Sequence, residues 1–243
     1  MVAKWKTRFL HWLGVVSLAS AWVWTCGGLF TLAHWPGLLV FTLIAAWPLA
    51  RWRHPQVTLW VTLGAFLPML VVVLGFLQPR SDRDWDTPYL RLPQVAIDDA
   101  LGIVQVNDVR DFPWRSRADF DPRWTEASYN LDQLEALDLV IEPLGDSNHF
   151  AHAMLSFGFA TGKRVVVSVE ARRERGEPFG LLPGIYRQFE TIYQINTERD
   201  AFTWRTLDPE SHLYVVPIAA EREFLKGLFL DMMRKAQALV DKP

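Results

Sequence analysis

The sequence predicts an α+β protein in two parts: three apolar passes near the N-terminus, then a water-soluble domain built on a mostly antiparallel sheet. Three observations predict it. No Asp, Glu, Lys or Arg occurs from Phe9 to Ala50 or from Val57 to Leu77. From Arg80 onward charge is dense and of both signs. Within that charged region two runs, Ala151–Phe159 and Arg164–Arg172, alternate with the period of two that marks a half-buried strand. The bulk figures, a net charge of -2 and 50% hydrophobic residues over 243 residues, average two unlike regions. The change of character at Gln78-Pro79-Arg80 divides the chain into an anchor, residues 1–78, and one domain of ordinary size.

The first apolar stretch is too long for one crossing, which takes about 20 residues at about 1.5 Å rise. It suits two helices, 10–33 and 36–50, turned at His34-Trp35-Pro36-Gly37, where Pro and Gly interrupt a helix. A third pass follows at 57–77, with Pro68 tolerated inside it. The alternative is a buried hairpin in a soluble core, but soluble helices normally keep a polar face. Of the 12 Trp, Trp12, Trp35, Trp47 and Trp52 fall near the proposed helix ends, where aromatic belts sit.

Basic residues give the anchor a direction. Lys4, Lys6 and Arg8 precede the first pass, and Arg51 and Arg53 lie between the second and third. The positive-inside rule puts both groups in the cytoplasm. Three crossings then carry the domain to the other side of the membrane. Arg80 and Arg83 oppose this, but Asp82, Asp84 and Asp86 accompany them. No short apolar core ends in an Ala-x-Ala-like site, so a cleaved signal peptide fits poorly. The single cysteine, Cys26, lies inside the first pass, and its neighbour Trp24 does not suit a lipoprotein processing site. The soluble domain therefore holds no disulfide and no cysteine metal site.

Residues 79–104, with Pro79, Pro88 and Pro93 among charges, read as a linker or extended lead-in, and Gln94 to Val106 could hold a short helix or strand. The domain proper is expected over 105–243. Val109 to Trp114 is loop-like. Tyr129 to Leu139 carries Leu131, Leu134 and Leu137, which fit a helical face or the approach to a strand. Leu137 to Pro143 ends as a strand does. Next comes the hairpin, Ala151–Phe159 and Arg164–Arg172 about Ala160-Thr161-Gly162. A three-residue loop with a left-handed Gly is a standard connection. It pairs Phe159 with Lys163 and so sets His152 opposite Glu170 on the more polar face. A two-residue loop would put apolar against polar, and burial fixes register against that. Arg172-Arg173-Glu174-Arg175 reads as a solvated bend. Phe189 to Ile195, Ala201 to Thr206 and Leu213 to Ile218 read as strands, and Ala220 to Val240 as an amphipathic helix.

His152 is the first candidate for chemistry. A carboxylate opposite an imidazole fixes its tautomer and stabilises its cation, as a general base requires. The plainer alternative is a cross-strand polar pair that supports the sheet. His149, three residues earlier, could join His152 and Glu170 around a metal, but His-x-x-His is not the helical zinc signature, and no metal or other cofactor is expected. Ser156 and Ser168 lack the Gly-x-Ser-x-Gly elbow of a serine nucleophile and read as sheet residues. Arg172, Arg173 and Arg187 are candidates for holding a phosphate or lipid headgroup near the membrane. No phosphate-binding glycine loop, dinucleotide fingerprint or basic nucleic-acid stripe is present, so nucleic acid is not an expected partner.

An ordered series of segments resembles a known family. These are Val109 to Phe112, Tyr129 to Asp132, His152 to Phe159, Val167 to Glu174, Tyr186 to Glu190 and Glu198 to Asp200. Over about residues 105–243 the chain is similar to the Lnb N-terminal periplasmic domain family. Members are bacterial envelope proteins, some implicated in lipoprotein N-acylation, and they look like permuted papain-like thiol enzymes in which His precedes Cys. The resemblance implies that His152 is the family histidine, with Glu170 as its natural companion. It implies a thiol in an Asn-Cys-Thr segment after the helix ending at Asp241-Lys242-Pro243, which residues 1–243 do not contain. Cys26 cannot supply that thiol from within a bilayer. Two functions follow as expectations. One is an acyltransferase or lipid-acting thiol hydrolase, completed by a further segment or a partner, with membrane lipids and lipoproteins as partners. The other is a non-catalytic, membrane-tethered binding module of the same fold.

Overall fold

The computed structural model describes residues 80–144, 150–180, 184, 189–207, 209 and 211–241. The passes expected at 10–33, 36–50 and 57–77 lie outside them. Among the described residues no helix is long and apolar enough to cross a membrane. Ser81–Pro178 and Glu190–Pro243 form the compact unit that carries the sheet. The Phe179 and Phe189 rings, outside that unit, stack 5.7 Å apart.

Eight strands make that sheet: β1 (Gln94–Asp98), β2 (Ile103–Arg110), β3 (Trp124–Asn130), β4 (Leu134–Pro143), β5 (Ala151–Phe159), β6 (Arg164–Arg172), β7 (Glu190–Thr197) and β8 (Tyr214–Pro217). Their order is β1-β2-β7-β6-β5-β4-β8, with β3 beside β2. Every pairing is antiparallel except β2 with β7, which meet in parallel at Arg110 and Asn196. Two helices complete the unit, α1 (Glu198–Thr206) and α2 (Arg222–Val240).

The helices cover opposite faces. Under α2 lies the larger core, where Leu225, Phe229, Met233 and Ala236 meet Val104, Val106, Leu137, Phe157, Phe159, Val165, Val167 and Ile195. These positions alternate along β5 and β6, as half-buried strands require. The buried stripe of α2 runs through Leu225, Phe229, Met233 and Ala236, while Phe224 is exposed. Under α1 the apolar cluster is small: Val140, Met154, Val166 and Ala201.

A bulge sets β2 between the two layers. Asp108 has a φ of 61°, and the β2–β3 register shifts between Val106 and Val109. The extra residue lets Val109 continue the apolar face and turns Arg110 toward α1.

One expectation needs correction, and two that were left open are decided. In segment 79–104, read as a linker or extended lead-in with a short helix or strand from Gln94, the strand is what forms. The segment holds a 3-10 turn at Thr87–Tyr89 and all of β1, and the Val95 amide donates to Gln237 Oε1 of α2 at 2.7 Å. Ala201 to Thr206 belongs to a helix, not a strand. The Thr197 side chain accepts from the Asp200 amide as its N-cap, Glu198 and Asp200 supply acid to the first turn, and Arg205 sits in the last. Of the two readings of the Leu131, Leu134 and Leu137 spacing, the approach to a strand is the one that holds: a 3-10 turn at Leu131–Gln133 leads into β4.

Candidate functional site

The hairpin loop fixes the site's register. The Phe159 amide donates to the Lys163 carbonyl at 3.0 Å, and Gly162 sits at φ 80°. Pairing runs from Gly158 with Arg164 to Met154 with Ser168, so His152 and Glu170 fall opposite each other two steps further on. His152 Nε2 lies 3.1 Å from Glu170 Oε1. The sequence expectation of a facing His–Glu pair thus meets its geometry here.

The structure adds residues that sequence reasoning did not assign to this site. Ser168 Oγ donates to Glu170 Oε1 at 2.6 Å and lies 2.8 Å from His152 Nε2. On the other side of His152 its cross-strand partner is Glu142 of β4. Glu142, His152 and Glu170 therefore form one row across three neighbouring strands. Arg205 of α1 spans the row, donating from Nε to Glu142 Oε2 at 2.9 Å and from Nη2 to Glu170 Oε1 at 2.6 Å. Ser211 Oγ donates to the other Glu142 oxygen at 3.0 Å. Only the even spacing of Glu142 from Val140 hinted that it shares the polar face; Arg205 gave no such signal, because its stretch reads as a strand.

These contacts dictate the imidazole's proton. The Ser168 hydroxyl hydrogen is committed to Glu170, and a carboxylate only accepts, so Nε2 must be the donor to both. Nδ1 then carries the lone pair. Among the described residues no hydrogen-bond partner falls on Nδ1. About 20% of the His152 side chain is exposed, enough for a reacting group to reach the ring. Burial alone would raise the Glu170 carboxyl, but the hydrogen bond from His152, the Arg205 and His152 charges and the Ser168 hydroxyl hold it at about 2. Glu170 is therefore a carboxylate at neutral pH, and a carboxylate that accepts from Nε2 leaves Nδ1 as the ring atom able to take a proton.

Other expected residues do different work. Ser156 Oγ donates to Glu198 Oε1 at 2.8 Å, beside the Arg164 pairings with Glu198 and Asp138. Arg172 is buried rather than solvated. Its Nε and Nη2 donate to the Tyr89 and Leu90 carbonyls at 3.0 and 2.9 Å, and its guanidinium lies 4.1 Å from the Trp85 ring centre. Arg173 donates to Tyr89 Oη at 3.0 Å. Both guanidinium groups thus hold the 85–90 segment against the sheet. Arg187 and His149 lie outside the described residues. Among the described residues no group of three metal-ligating side chains is placed to hold an ion.

The family described as Lnb N-terminal periplasmic domain matches residues 120–243. This chain belongs to the Lnb N-terminal periplasmic domain family. The match takes in β3 to β8, both helices and all of the Glu142–His152–Glu170 row, so the row lies in a periplasmic domain of an envelope protein. Comparison with the curated proteins and with the solved structures gives no match.

Proposed function

We propose that this is a membrane-anchored envelope protein whose periplasmic domain acts in thiol-dependent acyl transfer on lipid or lipoprotein substrates, with His152 as general base. The observation that carries the reading is the committed Nε2 of His152, whose Nδ1 has no hydrogen-bond partner among the described residues. A thiol at Nδ1 would give up its proton to the ring, and the thiolate would attack the carbonyl of an acyl donor. A thioester forms, and the imidazolium returns the proton to the departing alcohol. Glu170 keeps the ring in the required tautomer and stabilises its cation. In this reading the thiol belongs to the family's Asn-Cys-Thr segment beyond residue 243 or to a partner chain, and the fold is a permuted papain-like one. The three passes at 10–33, 36–50 and 57–77 hold the domain at the outer surface of the inner membrane. Membrane lipids and lipoproteins are the partners that such a position offers.

A non-catalytic tethered module has one observation in its favour: the sole cysteine, Cys26, falls outside the domain that carries His152. Reading the genomic sequence downstream of Pro243 separates the two, since an in-frame Asn-Cys-Thr supports the enzyme. The functional test replaces His152 with Ala in the longest natural form and measures lipoprotein acylation. A loss of about 10²-fold or more is expected. Full activity in a correctly folded His152→Ala protein sinks the catalytic assignment.

A further inference from the structure

Arg205 is among the most deeply buried side chains of the domain, about 1% exposed, and it sits directly over the Glu142–His152–Glu170 row. Each of its three nitrogens donates inside the protein: Nε to Glu142, Nη2 to Glu170 and Nη1 to the Ala201 carbonyl of its own helix at 3.1 Å. A structural ion pair balances its charges one to one. Here two carboxylates face one guanidinium, and the excess negative charge borders the His152 ring. Burying an unbalanced carboxylate is costly unless a cation offsets it. The group placed to supply that cation is His152, once it has taken a proton.

We infer that Arg205 is a positioning residue for His152, which it serves by clamping the flanking carboxylates Glu142 and Glu170 so that Glu170 keeps the His152 proton on Nε2. This rests on the general-base reading of His152 but is tested apart from it. Arg205 reaches both carboxylates because its guanidinium offers donors in a fixed fork; a lysine keeps the charge but presents one point donor. The geometry also orders the parts. All three contacts to Glu170 fall on Oε1, from Arg205, Ser168 and His152, so losing the Arg205 bond leaves the carboxylate held by one oxygen on Ser168 and the ring alone.

The experiment is ring nitrogen NMR of the full chain in detergent, labelled with 15N-histidine, with His152→Gln assigning the signal among the 6 histidines. The intact protein is expected to show a single neutral tautomer protonated on Nε2. Arg205→Lys is expected to show both tautomers in exchange. In the longest natural form it is expected to lower kcat on the order of 10-fold or more with KM unchanged. Should Arg205→Lys fail to fold, Glu142→Gln loosens the clamp from its other end with an isostere and is expected to move tautomer and kcat the same way, by less. A purely structural Arg205 would lower the melting temperature and leave the tautomer alone. An unchanged single tautomer in folded Arg205→Lys, or in Glu142→Gln if that is the one that folds, overturns the inference. If the tautomer moves while His152→Ala retains acylation, the clamp stands and the acyl-transfer reading falls.

Discussion

The face of the sheet under α2 is dry and the face under α1 is ionic, and the same strands supply both. On β6, Val165 and Val167 point to α2, while Arg164, Ser168, Glu170 and Arg172 share the other side with Val166. Beneath α1 the charges are organised around acceptors. Asp200 takes Arg110 Nε and Nη2, the Phe112 amide at 2.6 Å and Trp114 Nε1 at 3.0 Å. Such a layer gains little net stability, since pairing buried charges mainly offsets their desolvation. What it does provide is fixed geometry for polar groups, and the His152 row is one end of it. Apolar packing and fixed polar geometry are thus divided between two faces of one sheet.

The hardest blow to that division falls on the dry face. Phe229 is fully buried, with its ring 5.0 Å from Phe157 and 5.8 Å from both Tyr129 and Phe159. Phe229→Ala is expected to cost about 3–5 kcal/mol, from lost transfer energy and the cavity left among rings that cannot collapse. Urea unfolding measures it. A cost near 1 kcal/mol would mean that the α2 layer is not where the stability resides.

The ionic face responds to pH instead. Folded Glu170 titrates at about 2, below its ordinary value of 4.5. Its ionised form therefore adds stability at neutral pH, and that stability is lost as pH falls from about 4.5 through about 2. The contribution is up to about 3 kcal/mol, at about 1.4 kcal/mol for each pH unit of displacement. Urea unfolding of the native protein and of Glu170→Gln, followed from pH 5 to 2.5, should show the gap between them closing. Parallel curves would place the acid sensitivity elsewhere.

The two faces also differ in how legible they were. The hairpin was readable to the residue, because Val165 and Val167 against Ser168 and Glu170 leave one register that buries like with like. The membership of β1 was hidden by Pro88, Pro93 and the charges around them, and its anchor, Gln237, lies far along the chain. Arg172 looked solvated for the same reason: its partners Trp85, Tyr89 and Leu90 come from a segment over 80 residues earlier. The role of Arg205 is masked in the sequence because Ala201 to Thr206 contains Phe, Thr and Trp, which favour strands. The Thr197 cap and its acidic first turn outweigh that preference. Local pattern reveals alternation, but not which distant strand or helix brings a countercharge.

The smallest expected effect lies at the turn where both faces receive their register. Gly162 holds a φ of 80°, and a Cβ built on it would meet nothing within 4 Å. Gly162→Ala therefore tests backbone strain alone, without a clash. A left-handed conformation costs an L-residue about 1–2 kcal/mol, so a loss of about 1 kcal/mol is expected in urea unfolding. The Phe159–Lys163 closure and the long run of paired residues in β5 and β6 should keep the register, and the His152 ring nitrogen spectrum should not move. A changed spectrum with a small loss of stability would show that the loop, not burial of the Val165 and Val167 face, sets the alignment of His152 with Glu170. A loss well above 2 kcal/mol would show that the turn steers both faces together, and that their division is less complete than the side-chain contacts indicate.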